Sequence, residues 1–179
     1  MDKLVQIAEL LITFASSIYI TIVIVRFLLQ LVRADFYNPL SQFIVKATNP
    51  LLMPLRKVVP GFFGIDFASV VLALLLQVAS IALLMAIKHG ALPPIAPLLA
   101  VSAYALAALV LNIYFFAFIV LVIVSWIAPQ GNNPAVALLS SITEPVLRPI
   151  RKALPASGGL DFSVMVALLI IYILKILMS

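Results

Sequence analysis

The 179 residues are 65% hydrophobic and only 9% charged, with a formal net charge of +5. A surface that faces water carries about 25% charged residues, so most of this surface faces lipid, and a mean hydropathy of +1.29 agrees. With no cysteine and one histidine, disulfide frameworks and thiolate metal sites are excluded, and a histidine metal cluster has no basis.

The first apolar segment lies within Leu4–Val32. It exceeds the roughly 7–15 residues of a signal-peptide core and lacks a basic leader, so a retained helix is expected. Arg26 lies in its inner third. A long cation there is expected to snorkel toward the nearer interface, although an ionisable residue within a span is also a candidate for function.

Asn38-Pro39 opens a linker helix, with Asn38 as cap and Pro39 at the first helical position. Leu40, Phe43, Ile44, Ala47, Leu51 and Leu52 recur at helical spacing as an apolar face, with Ser41, Gln42, Lys46 and Asn49 opposite. Such a helix either lies in the membrane interface or packs on the protein's own spans. Pro50 is expected to break or kink it. Arg56 and Lys57 follow between prolines, where cations meet phosphate headgroups or enforce topology. Gly64-Ile65-Asp66-Phe67 leads into the second span, within Phe67–Ile87, with Gln77 at its middle. Asp66 is expected to cap that helix, or to pair with an Arg or Lys.

After the short turn KHGALPPIAP comes the third span, within Leu98–Ala128, which carries no charge. Asn112 lies near its centre beside Tyr114, and Ala100, Ala103, Ala107 and Ala108 form a small-residue strip suited to close helix packing. Asn133-Pro134 then starts a second amphipathic linker, with Leu138, Leu139, Ile142, Val146 and Leu147 apolar and Pro145 inside. Arg148, Arg151 and Lys152 follow, and Asp161 is expected to cap a fourth span within Phe162–Met178. The expectation is an all-α membrane protein with four spans of about 20 residues.

Shifting the chain by 95 positions aligns the two linkers without a gap. Asn38-Pro39, Thr48, Pro50, Pro54, Arg56-Lys57, Pro60, Gly64 and Asp66-Phe67 coincide with Asn133-Pro134, Thr143, Pro145, Pro149, Arg151-Lys152, Pro155, Gly159 and Asp161-Phe162. Matches of polar residues, glycine and proline do not come from shared hydrophobicity, so residues 1–90 and 91–179 read as tandem repeats of span, linker and span. Both start on one side, which makes them parallel repeats about an axis along the membrane normal. Seven of the eleven cations lie in the two linkers. The positive-inside rule therefore places the linkers in the cytoplasm, and four spans put both termini on the far side.

The site checklist finds no carboxylate pair, no Ser-His-Asp set and no phosphate loop, so neither enzyme activity nor a cofactor is expected. Acids read as absent from the spans, which argues against a proton relay. Arg56, Lys57, Arg148, Arg151 and Lys152 are the candidates for anionic phospholipid headgroups. Direct contact with nucleic acid is not expected. Arg26, Gln77 and Asn112 are the intramembrane polar residues, as interhelical hydrogen-bonding groups or as the lining of an oligomeric ion or osmolyte pathway.

The runs RADFYNPLSQFIVKATNPLLMPLRKVVP and NPAVALLSSITEPVLRPIRKALPASGGLDFS, with the duplication, resemble the YggT family of bacterial membrane proteins in its two-repeat form. The resemblance implies an inner-membrane, multi-pass protein connected with osmotic tolerance, ion homeostasis, envelope organisation and cell division. In plastid relatives it implies cytochrome assembly and nucleoid distribution. It brings no catalytic residues. A scaffold or assembly factor that binds anionic lipid, other membrane proteins or copies of itself is the leading expectation.

Overall fold

In hydrocarbon every backbone amide must find its partner within its own segment, so a long apolar run folds as a helix. The computed structural model describes residues 3–61, 64–127, 133–154 and 162–178, and it is all-helical. Among the described residues lie six helices: α1 (Lys3–Leu31), α2 (Pro39–Arg56), α3 (Phe67–His89), α4 (Ile95–Ile127), α5 (Pro134–Ala153) and α6 (Phe162–Leu177). Three of them, α1, α3 and α4, are long and apolar enough to cross a membrane. The segment expected as a fourth span is α6, apolar but 16 residues long. At 1.5 Å per residue that is about 24 Å, less than a hydrocarbon core of about 30 Å.

The prolines do not end the linker helices. α2 runs through Pro50 and Pro54, and α5 through Pro145 and Pro149. Pro50 leaves the Lys46 carbonyl without its usual donor. The carbonyls on either side are held from α1: Arg26 donates to Val45 O at 3.1 Å and Tyr19 Oη to Ala47 O at 3.2 Å. Side chains thus stitch the turn that proline weakens.

Helix ends follow local chemistry. Arg33 takes a left-handed φ of 54° after α1, and Ala34 N returns to Leu29 O at 2.9 Å, closing the last carbonyls in the way glycine usually does. Gly90 does the same for α3 with φ 67° and a 2.9 Å bond to Ala86 O. Gly64, at φ 79°, turns the chain toward α3.

Packing divides the chain into two compact units, one of Met1–Phe27 with Ile44–Leu109 and one of Leu28–Phe43 with Val110–Ser179. The first buries Ile20, Val23 and Ile24 of α1, Leu52 of α2, and Ala68, Leu72 and Ala73 of α3. The second is built on Phe118, Leu147, Ala167 and Ile171, from α4, α5 and α6. Burial corrects two expectations. Ser41 is buried rather than on the water-facing side of α2, while Leu40, Phe43 and Leu51 of its apolar face are exposed, with Met53 beside them. Ala100, Ala103 and Ala107 of the small-residue strip are also exposed, and Ala108 is half-buried.

Candidate functional site

A helix presents one face about every seven residues, and α1 places polar groups at 9, 16, 19 and 26. Within the first unit these four reach α2 and α3. Glu9 pairs with Lys88 at 3.1 Å, Ser16 and Ser80 share a hydrogen bond of 2.9 Å, and Tyr19 holds Ala47 O. Arg26 ends the stripe. It is 6% exposed, and its Nη1 donates to Val45 O, to Thr48 Oγ1 and, at 2.9 Å, to Asn49 Oδ1. Arg26 thus reaches the linker helix α2, where buried acceptors receive its guanidinium. Thr48 is fully buried and donates its own hydroxyl proton to Ile44 O at 2.7 Å, which leaves a lone pair for the guanidinium.

Next to it lies a second knot. Asp66 stands at the cap position of α3, but its carboxylate makes no capping bond to a backbone amide. Instead it accepts from Arg56 and, at 2.6 Å, from Ser69 Oγ. The ion pair outcompetes the cap because Asp66 is 4% exposed, where a full charge needs an opposite charge more than a peptide dipole. Burial pushes the Asp66 carboxyl up. The bonds from Arg56 and Ser69, with the charges of Arg56 and Arg26, outweigh burial and hold it below the usual carboxylate range.

The remaining sequence candidates separate. Asn38 Oδ1 accepts from Leu40 N at 2.9 Å, and Asn38 Nδ2 donates to Pro134 O at 2.8 Å, joining the start of α2 to that of α5. Asn133 Oδ1 accepts from Ala135 N at 2.9 Å. Asp161 lies outside the described residues. Gln77 and Asn112 are half-buried, and neither is among the partners of Arg26. Arg151 pairs with Glu144 at 2.8 Å, both well exposed. Lys57, Arg148 and Lys152 are exposed. No group of three His, Asp or Glu that could hold a metal exists among the described residues.

Sequence reading missed Glu9. Acids read as absent from the spans, yet Glu9 lies inside α1 with its side chain 17% exposed and one carboxylate oxygen, Oε1, buried without a hydrogen-bond partner among the described residues. Its seven-residue spacing from Ser16 was the available signal. Ser69 and Asn49 were likewise legible only once their neighbours were in place.

In the second unit α4, α5 and α6 leave two hollows. One of ≈ 230 Å³ is wholly apolar, between Leu111, Tyr114, Ile150 and Ile171. The other, of ≈ 710 Å³, is lined by Thr143, Glu144, Arg151, Ser125 and Ser140 together with apolar residues of α4, α5 and α6.

A sequence profile of CCB3/YggT matches residues 5–87 and 100–179. An uncharacterized protein of Pseudomonas aeruginosa is 53% identical over 163 residues, 90% of this chain and 83% of its own length. One of Vibrio alginolyticus is 41% identical, covering 87% of this chain and 84% of its own. Uncharacterized protein YggT of Escherichia coli is 36% identical over 92% of this chain and 85% of its own. No solved structure matches.

Proposed function

The chain belongs to the CCB3/YggT family, and from that premise we propose that it is a non-enzymatic scaffold or assembly factor of the bacterial inner membrane that grips anionic phospholipid through its linker helices. In this reading α6 is the fourth span. The repeats 1–90 and 91–179 are parallel, with linkers in the cytoplasm and termini in the periplasm. The contact of Asn38 with Pro134 supports a common axis, because these are nearly equivalent positions of the two copies.

One observation carries the lipid reading. α2 turns Phe43 and Met53, each 61% exposed, outward beside exposed cations, the arrangement of a helix lying at a headgroup boundary. Of the five cations expected to meet phosphate, Arg56 and Arg151 also hold carboxylates. The grip is therefore tested on Lys57, Arg148 and Lys152, each worth about 1 kcal/mol near an anionic leaflet. A connection with osmotic tolerance, envelope organisation and cell division belongs to this proposal through the family. The pathway alternative needs Arg26, Gln77 and Asn112 as a lining, and Arg26 is held by α2.

The test is lipid retention. Wild type and the triple variant Lys57→Gln, Arg148→Gln, Lys152→Gln are purified from membranes, and bound phosphatidylglycerol is measured against total lipid. The variant is expected to lose the enrichment; an unchanged enrichment sinks the reading. Ion flux through liposomes that disappears with Asn112→Leu would favour the pathway instead.

A further inference from the structure

The ≈ 710 Å³ hollow of the second unit corresponds, residue for residue, to the place that Arg26 fills in the first. Shifted by 95, Arg26 becomes Leu121. The three residues that receive its guanidinium, Val45, Thr48 and Asn49, become Ser140, Thr143 and Glu144. All four counterparts line the hollow. The second copy has thus lost the cation from α4 and kept the buried threonine, while the carboxylate in place of Asn49 pairs with Arg151 through one oxygen.

The receptor has also changed in a directed way. Thr143 is fully buried and donates to Leu139 O at 2.9 Å, the orientation in which Thr48 offers its lone pair to Arg26. Where the first copy has a neutral amide, the second has the carboxylate of Glu144. A carboxylate in that position favours a cation more strongly than an amide does. Arg151 stands 2.8 Å from Glu144 on the same wall. Apart from Ser125, the rest of the lining is apolar, mostly from α4 and α6, with Leu121, Val122, Met165 and Leu168 among it. Trp126, 81% exposed, stands at the rim, as a tryptophan at a headgroup boundary does.

A cation receptor, a phosphate partner and an alkyl wall in one hollow describe a zwitterionic lipid. The volume lies within the roughly 300–1,000 Å³ of ligand sites. We propose that this hollow binds a phospholipid with a primary-amine headgroup. The ammonium lies against Thr143 and Glu144 where the guanidinium of Arg26 lies in the first copy, the phosphate lies against Arg151, and one acyl chain runs along α4 and α6. A primary ammonium donates hydrogen bonds to these oxygens; a trimethylammonium has none to donate. The site uses neither Lys57, Arg148 nor Lys152, so it stands apart from the anionic grip proposed above.

The full chain is reconstituted in nanodiscs with equal shares of phosphatidylethanolamine, phosphatidylcholine and phosphatidylglycerol, and the lipids that stay bound on extraction are identified by native mass spectrometry. Phosphatidylethanolamine is expected to exceed phosphatidylcholine by about tenfold, the preference that 1.4 kcal/mol supplies. Glu144→Gln removes the preference. Leu121→Arg gives the second copy its own guanidinium and displaces the lipid. Where Leu121→Arg does not fold, Glu144→Gln decides. The triple variant Lys57→Gln, Arg148→Gln, Lys152→Gln leaves this preference intact while lowering phosphatidylglycerol, which separates the two lipid readings. Equal retention of the two zwitterionic lipids overturns the proposal, as does a preference that survives Glu144→Gln. So does a protein partner or second copy that lipid cannot displace.

Discussion

In the first copy of the repeat, α1 turns Glu9, Ser16, Tyr19 and Arg26 to partners on α2 and α3. In the second copy the same positions of α4 are Tyr104, Leu111, Tyr114 and Leu121. Ser69, which holds Asp66, is matched by Val164. The framework that both copies keep is of another kind: the Asn-Pro start, the buried threonine, the paired prolines and the Arg-Lys step. These residues shape the backbone. The residues that differ decide what fills the space between the helices. Removing both members of a hydrogen-bonded pair is nearly neutral, whereas removing one strands the other in a dry interior. In the second copy the Ser16–Ser80 pair is gone as a whole, whereas at Arg26 the donor is gone and Thr143 and Glu144 stand in place of its acceptors, and there the hollow lies.

The largest break in that comparison is an acid from each copy. Asp66→Asn removes a buried charge that Arg56 and Ser69 both satisfy. Arg56 is 41% exposed, so solvent screens part of the pair. A loss of about 2–3 kcal/mol is expected in the first copy. Glu144→Gln breaks a pair whose members are 42% and 53% exposed, and is expected to cost under about 1 kcal/mol. Thermal unfolding in one detergent, measured side by side, checks both; equal losses would mean that the copies are not energetically distinct. The sign with pH follows from Asp66. Its folded carboxyl titrates below the unfolded value, so its stabilisation is full above the ordinary carboxylate range, at about pH 4 and higher, and is lost as pH falls through the folded value. The melting temperature of wild type should fall on acidification below about pH 4, and that of Asp66→Asn should fall less.

The next break is a matched pair, Thr48→Val and Thr143→Val. Both threonines are fully buried and both donate to the carbonyl four residues back. Only Thr48 also accepts from a guanidinium. Its loss leaves a buried charge short of an acceptor, so about 1.5–2 kcal/mol is expected for Thr48→Val. Thr143→Val gives up one local bond, about 0.5–1 kcal/mol. An added amine-headed lipid that stabilises wild type but not Thr143→Val would sharpen the contrast further.

Much of the helical frame was legible. Apolar runs of membrane length and two Asn-Pro starts place α1 to α5 within a few residues of where they lie. What stayed hidden were choices between competing partners. Arg26 had a route to the interface and a route to α2, and the sequence does not show that Val45 O, Thr48 and Asn49 converge on one point. Asp66 had a helix dipole and a guanidinium to choose from, and burial decided for the guanidinium. Pro50 and Pro145 read as breakers, yet both helices run on; at Pro50 propensity counts the lost amide and not the side chains of α1 that hold the neighbouring carbonyls. Glu9 was hidden by its position near the start of α1, although an acid two turns into an apolar helix requires a partner, and Lys88 supplies it.

The smallest effect tests whether the stripe acts as a set of separate pairs. Ser16 and Ser80 bond across α1 and α3, but Ser16 also donates to Ile12 O of its own helix at 2.6 Å. If the local bond satisfies Ser16, then Ser16→Ala and Ser80→Ala add without coupling. If the two hydroxyls satisfy each other, the double-mutant cycle returns about 0.6 kcal/mol, the mean for hydrogen bonds between membrane helices. The second outcome is expected, because Ser80 has Ser16 as its hydrogen-bond partner among the described residues. In the second copy the counterparts are Leu111 and Lys175, and Lys175 lies 4.6 Å from the ring of Phe115 instead. A coupling near zero in the first copy would therefore make the two copies alike at this level. It would leave the Glu9–Lys88 pair and the knot at Arg26 to carry the divergence between a pinned half and an open one.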